Sequence, residues 1–206
     1  MTFWDRVAGV YDLFADVYNG KVNRALCETV LSEIRDTDIV LECACGTGMI
    51  SKRAAAKCAK LIATDFSEGM LKQTRRKCRA CSNVEVRYAD ITKLDFEDES
   101  FDVVIAANVI HLLDEPCEAL KELDRVCRSQ GRLIIPTYVN DEKSGRTSGF
   151  AKTVDQAGAD FKRQFTFASY RDFLVRAGYA DLETVLIRGR VPCAVAVIRK
   201  QKEEDG

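Results

Sequence analysis

Three carboxylates follow short apolar runs at intervals of one strand-and-helix unit: Glu42, Asp65 and Asp90, separated by 23 and 25 residues. At that spacing they fall at the ends of successive strands and can line one elongated crevice. The residue types around them are those of a nucleoside site. Ala44, Gly46 and Gly48 are small enough for the backbone to approach a ligand closely, and the helix expected after them turns its unpaired N–H groups the same way. Asp65 can accept both hydroxyls of a ribose. Asp90 can accept from the exocyclic amine of adenine while the Ile91 N–H donates to a ring nitrogen, with Phe66 and Met70 covering the faces of the base. With Glu42 this makes a crevice rich in negative charge and poor in phosphate binders, suited to an adenosine that carries positive charge. His111, the only histidine, stands three residues beyond Asn108. An imidazole of ordinary pKa, about 6.5, could take a proton from an acceptor hydroxyl or amine near neutral pH.

The elements that must position these residues are read from periodicity. Phe3, Val7, Val10, Tyr11, Phe14 and Tyr18 repeat at helical spacing, and Val22, Leu26, Val30 and Ile34 resume it past Gly20, so two amphipathic helices open the chain. Apolar runs at 39–41, 61–65, 84–88, 101–107 and 132–138 read as strands, with a bulge or the end of pairing expected at Pro136. Between them come a glycine turn leading into a helix with Met49, Ile50, Ala54 and Cys58 on one side, and a helix capped by Ser67 that carries Met70, Leu71, Thr74 and Cys78. A further helix opens at Pro116, with Cys117, Leu120, Leu123 and Cys127 as its stripe and Gly131 just past its end. After a helix at 169–177, the runs 181–187 and 193–199 form an antiparallel hairpin. The expectation is one α/β domain over 1–206: a doubly wound, Rossmann-like, seven-stranded, mostly parallel sheet with a C-terminal antiparallel hairpin and N-terminal helices. Residues 1–36 read as an N-terminal helical cover, 140–165 as a lid-like insertion and 200–206 as a frayed tail.

The motifs E-C-A-C-G-T-G, A-T-D-F-S-E-G-M-L, A-D-I, S-F-D-V-V-I-A-A-N-V-I-H and L-I-I-P-T-Y, in that order, resemble those of class I S-adenosylmethionine-dependent methyltransferases. The likeness is to the small-molecule type related to ubiquinone/menaquinone methyltransferases. It covers nearly the whole chain, and the opening F-W-D-R-V-A-G-V-Y-D looks like the family's N-terminal cover. The resemblance implies that Glu42, Cys43, Ala44, Gly46 and Gly48 hold the methionine part of the cofactor and Asp65 the ribose. It likewise implies Asp90 and Ile91 at the adenine, Asn108 beside the sulfonium, and Tyr11 against cofactor or acceptor. S-adenosyl-L-methionine is then the cofactor, S-adenosyl-L-homocysteine the product, and the acceptor a small molecule methylated on O, N, C or S, with His111 as the candidate base. One residue departs from the family pattern: Ala44 stands at the usual first glycine, where a methyl is harmless at negative φ and obstructive at positive φ.

Composition narrows the partners. Basic and acidic residues nearly balance, 31 against 32, and hydrophobic residues make up 47% of the chain, an ordinary globular composition with no nucleic-acid partner and no membrane span expected. The basic run Lys72, Arg75, Arg76, Lys77 and Arg79 reads as a solvated helix face. Nine cysteines, mostly inside apolar runs, read as small buried side chains in a reducing, cytoplasmic compartment. The Cys78/Cys81 pair has no second ligand pair, so no metal is expected. Two rival classes are a catalytically silent S-adenosylmethionine-binding or regulatory protein and an NAD(P)-dependent oxidoreductase. The latter needs a third glycine three residues past Gly46, where Met49 stands.

Overall fold

The computed structural model describes residues 4, 5, 8, 9, 11–140 and 162–201, with the side chains of 11–17 excepted. Helix α1 (Tyr11–Ser32) carries Val22, Leu26 and Val30 inward. It is followed by β1 (Ile39–Cys43), the single turn α2 (Ser51–Ala54), β2 (Lys60–Asp65), α3 (Glu68–Cys78) and β3 (Val84–Tyr88). Then come β4 (Phe101–Ala106), α4 (Pro116–Val126), β5 (Cys127–Tyr138), α5 (Phe167–Arg176), β6 (Leu182–Ile187) and β7 (Cys193–Arg199). The seven strands lie in the order β3-β2-β1-β4-β5-β7-β6. β1 to β5 run parallel, and β7 is antiparallel to both β5 and β6. The strand order reverses between β1 and β4, the switch point at which a doubly wound sheet opens a crevice at its carboxyl edge.

Alternate residues of each strand serve opposite layers. Val40, Leu61, Val103, Ile105, Ile134, Val195 and Val197 pack under α1 and α2 with Leu26, Val30, Ile50 and Ala54. Leu41, Val104, Ala106, Leu133 and Ile135 pack under α4 and α5 with Leu120, Leu123, Tyr170 and Leu174. Burial on both faces is why the central strands read as continuous apolar runs.

Several expectations need correction. The two opening helices are present, but they meet at a kink at Asn19 rather than past Gly20: α1 spans both, and the Asn19 φ of −137° and ψ of 21° are not helical. The Asn19 side chain is the reason, since its Nδ2 donates to the Val191 carbonyl (2.9 Å) and its Oδ1 accepts from the Val191 N–H (3.2 Å). The helix after the glycine turn is one turn long. Cys117 is exposed and Cys127 belongs to β5, so the buried stripe of α4 is Pro116, Ala119, Leu120, Leu123 and Val126. Pro136 does not interrupt pairing with β7, where it faces Val195, whereas the ladder with β4 stops earlier, at Ile105 and Ile134. The Pro136 carbonyl points to the β4 side, accepting from the Asn108 N–H at 2.8 Å, so its missing N–H falls on the side where the ladder has already ended. The irregularity lies instead between Phe101 and Val103, opposite Cys127 and Arg132. Gly131 sits there, where an added Cβ would come within 2.7 Å of the Cys127 sulfur and the Arg128 carbonyl. The expected tail is held at its first residue: the Lys200 ammonium donates to the Asp124 and Cys127 carbonyls at 2.8 and 3.0 Å. Of the 140–165 insertion, 141–161 lie outside the described residues; Asn140 and Phe165 meet through a 2.7 Å backbone hydrogen bond.

Candidate active site

The carboxyl ends of β1, β2 and β4 stand side by side, with Cys43 in register with both Thr64 and Ala106. From that edge the chain turns back through Ala44 (φ 52°), Gly46 (φ 56°) and Gly48 (φ 80°), three left-handed residues within five positions. Only glycine takes this conformation freely, so Ala44 meets the obstructive condition set out above and carries about 1–2 kcal/mol of strain. The turn is held from outside. The Cys45 N–H donates to the Thr64 carbonyl (2.9 Å), and the Thr74 hydroxyl of α3 donates to the Gly46 carbonyl (2.8 Å). A Cβ at Gly46 would meet nothing within 4 Å, whereas one at Gly48 would strike Thr74. The open side of the turn is therefore at Gly46, and Gly48 is the side on which α3 closes.

Asp65 locks this turn to the next helix. Its two carboxylate oxygens accept the Gly46 N–H and the Ser67 N–H, each at 2.9 Å. Burial pushes its pKa up, against the pull of those N–H groups. Ser67 caps α3 by accepting the Met70 N–H (3.2 Å) and donates to Asp5 (2.6 Å), which also accepts the Gly69 N–H (3.1 Å). The N-terminal segment thus reaches the crevice through Asp5, a residue with no periodicity to announce it. Glu42 lies on the floor, 2% exposed, accepting from the Ser51 hydroxyl at 2.5 Å. Burial, with some help from the Asp65 charge, pushes its pKa up to about 8. At neutral pH Glu42 is then largely the neutral acid, so the crevice holds less negative charge than its composition implies.

The remaining expected residues divide. Phe66 is exposed and Met70 buried, so only the first presents its ring at the edge. Cys43 is buried, its thiol pKa pushed up to about 12 by desolvation, which leaves it an inert wall. Asp90 is exposed and uses Oδ1 within its own turn, accepting the Thr92 N–H (2.9 Å) and hydroxyl (2.7 Å), with Ile91 buried beside it. The backbone of Tyr11 is helical, and its side chain lies outside the described residues. Asn108 takes a left-handed φ of 54° after β4, and its Oδ1 is 4.0 Å from the Cys193 sulfur. His111 sits in a 3-10 turn (Ile110–Leu112), 4% exposed, with its ring 6.5 Å from Tyr138. Burial lowers its pKa to about 4, so it is neutral at pH 7 and a weaker base than a free imidazole.

Beside it are two side chains that periodicity did not single out: the Tyr138 hydroxyl donates to Asn23 of α1 at 3.1 Å. They meet across 115 residues of chain, beyond the reach of any local pattern. Ser51 was likewise missed, and Thr74 was read only as part of a helix stripe, although a hydroxyl next to a glycine turn is the usual partner for its orphan groups. Asp102 is structural: it accepts the Ile39 N–H (2.8 Å) and pairs with Arg128 (2.7 Å) at the opposite edge of the sheet.

A family model described as a methyltransferase domain matches residues 41–135. A demethylmenaquinone methyltransferase of Clavibacter sepedonicus is 36% identical over 135 residues, 64% of this chain and 55% of that one. A phosphatidylethanolamine N-methyltransferase of Cereibacter sphaeroides is 32% identical over 145 residues, covering 69% of this chain and 68% of the relative. The chain belongs to the class I S-adenosylmethionine-dependent methyltransferases. The chain spans about half the length of the demethylmenaquinone methyltransferase relatives it matches. Its fold is also that of a methyltransferase from Aquifex aeolicus (TM-score 0.64, 20% identity, 90% and 92% of the two chains). The [4+2]-cyclase SpnF shares the fold too (TM-score 0.71, 19% identity, 87% and 81%).

Proposed function

We propose that this methyltransferase binds S-adenosylmethionine along the β1–β2–β4 edge and moves its methyl group to a small-molecule acceptor. The observation that carries the reading is the buried Asp65 carboxylate bridging Gly46 and Ser67, with Glu42 buried behind it and open space at Gly46. These groups fit a cationic nucleoside. Asp65 and Phe66 would take its ribose and base, Asp90 and Ile91 the adenine edge, and Glu42 with the 44–48 turn its amino-acid end.

When bound, S-adenosylmethionine supplies a methyl group already activated by a positively charged sulfur. What is left to the chain is positioning, since a nucleophile held in line near about 3 Å gains much of the barrier reduction from orientation. The polar groups we assign to that are His111 beside Tyr138, Asn23 of α1 bonded to Tyr138, and Asn108 after β4. His111 is unprotonated at neutral pH and so can receive a proton, though its low pKa confines this role to acceptors that become acidic as they attack. A reducing, cytoplasmic setting is supported by all nine cysteines being thiols. Among the described residues no helix is long and apolar enough to cross a membrane.

Calorimetry with S-adenosylmethionine and S-adenosylhomocysteine tests the reading. Saturable binding is expected; Asp65→Ala should weaken it about 10- to 100-fold by removing charged hydrogen bonds, and Cys78→Ser should leave it intact. Folded protein that binds neither compound would overturn the proposal. The alternative, a cofactor-binding protein that transfers no methyl, is not favoured by the methyltransferase relatives. Incubation with labelled-methyl cofactor and a metabolite extract separates the two, with demethylmenaquinone and phosphatidylethanolamine, named by the relatives, as the first pure acceptors to try.

A further inference from the structure

Charge is unevenly distributed along this nearly neutral chain. Between Ser51 and Arg79 lie nine of its 31 basic side chains and only two of its 32 acidic ones, of which Asp65 is buried. Eight of the nine are exposed: Lys52, Arg53, Lys57 and Lys60 around α2, and Lys72, Arg75, Arg76 and Arg79 on α3. The four on α3 fall at i, i+3, i+4 and i+7, so they form one stripe along the side opposite the buried Leu71, Thr74 and Cys78. α2 packs against α3, so the two sets of basic side chains belong to neighbouring elements. Within this set Arg75 pairs with Glu68 and Lys60 with Glu85. Attraction to the negative end of the helix dipole accounts for Arg75, Arg76 and Lys77 in the last turn of α3. It does not account for Lys72 in its middle or for Lys57 just beyond α2.

We propose that the outward face of α2 and α3 docks on an anionic phospholipid surface, through the row Lys52, Lys72, Arg75, Arg76 and Arg79. The composition of the face favours this partner over a nucleic acid. The row lies on the exposed side of a helix, and neither α2 nor α3 carries an aromatic residue to stack a base. Long side chains with charged heads on an exposed helix side match a broad surface of headgroups, where each cation contributes about fivefold to partitioning and the attraction falls off within a Debye length. The inference does not depend on methyl transfer.

The test is co-flotation of the whole chain with neutral phosphatidylcholine vesicles and with vesicles containing anionic phosphatidylglycerol. Binding is expected only to the second, and should be abolished in high salt. The triple variant Lys72→Glu, Arg76→Glu, Arg79→Glu should lose it by at least about a hundredfold while keeping its thermal midpoint and S-adenosylhomocysteine binding. Lys121→Glu, on α4, should float like the parent. Equal binding to both vesicles, no binding to either, or undiminished binding by a folded triple variant would each overturn the proposal. So would a transfer RNA that binds at physiological salt and displaces the vesicles from the same face.

Discussion

Ala44 is a non-glycine residue held left-handed in the turn that faces the candidate cofactor, a local cost borne at a functional position. Ala44→Gly should therefore stabilise the fold by about 1 kcal/mol. Urea titration reads this directly, and an unchanged or lower midpoint would mean the strain is not there. Glu42 makes a second residue-scale prediction. Its folded pKa of about 8 lies above the usual carboxylate value, so its contribution to stability is fully present below about pH 4.5 and is lost as pH rises through 8. Glu42→Gln, which keeps the shape and the acceptor for Ser51, should flatten the fall in stability between pH 5 and pH 8 seen in thermal melts. His111 works in the opposite sense, its contribution falling away as pH drops from about 6.5 through 4.

At the scale of elements, the glycine turn and α3 are one piece. A Cβ on Gly48 would come within 2.9 Å of the Thr74 hydroxyl and 3.1 Å of the Thr74 Cα, and the second contact is backbone that no rotamer change relieves. Gly48→Ala should cost about 2–4 kcal/mol, measured by denaturant unfolding, with S-adenosylhomocysteine affinity falling alongside. A Gly46→Ala variant meets no neighbour and should lose only the conformational part. The strands were legible because burial on both faces leaves uninterrupted apolar runs, and the Ser67 cap because Ser before an amphipathic stretch has a local mechanism. What was not legible rests on long-range partners. The bend at Asn19 depends on Val191, and the burial of Asp65 depends on Asp5, Gly46 and Ser67 together. The α4 stripe was misread at Cys117 because cysteine is apolar enough to pass for core, yet at that position the helix faces water. Placing Glu42, Asp65 and Asn108 at strand ends required only element order; their protonation and hydrogen bonding required the fold.

At the scale of the molecule, the layers are tied at the edge opposite the crevice by Arg132 of β5, which reaches Asp38 through two hydrogen bonds of 2.9 and 2.8 Å and the Glu33 carbonyl at 2.7 Å. Both partners are buried, and Asp38 also accepts the Arg35 N–H that ends α1. Arg132→Met would strand the Asp38 charge and should cost about 3–5 kcal/mol, whereas Arg132→Met with Asp38→Leu should recover much of that loss. Chemical denaturation of the two variants checks it, and equal losses would show that the pair itself stabilises. The strand order has a temporal consequence. β7 lies between β5 and β6, so β6 is synthesised before its only neighbour exists, and the open flank of β5 stays a bare row of peptide groups until residues 193–199 arrive. Closure of the sheet is thus the latest strand pairing among the described residues, and until then a nascent molecule offers neighbouring copies the template that β7 will occupy.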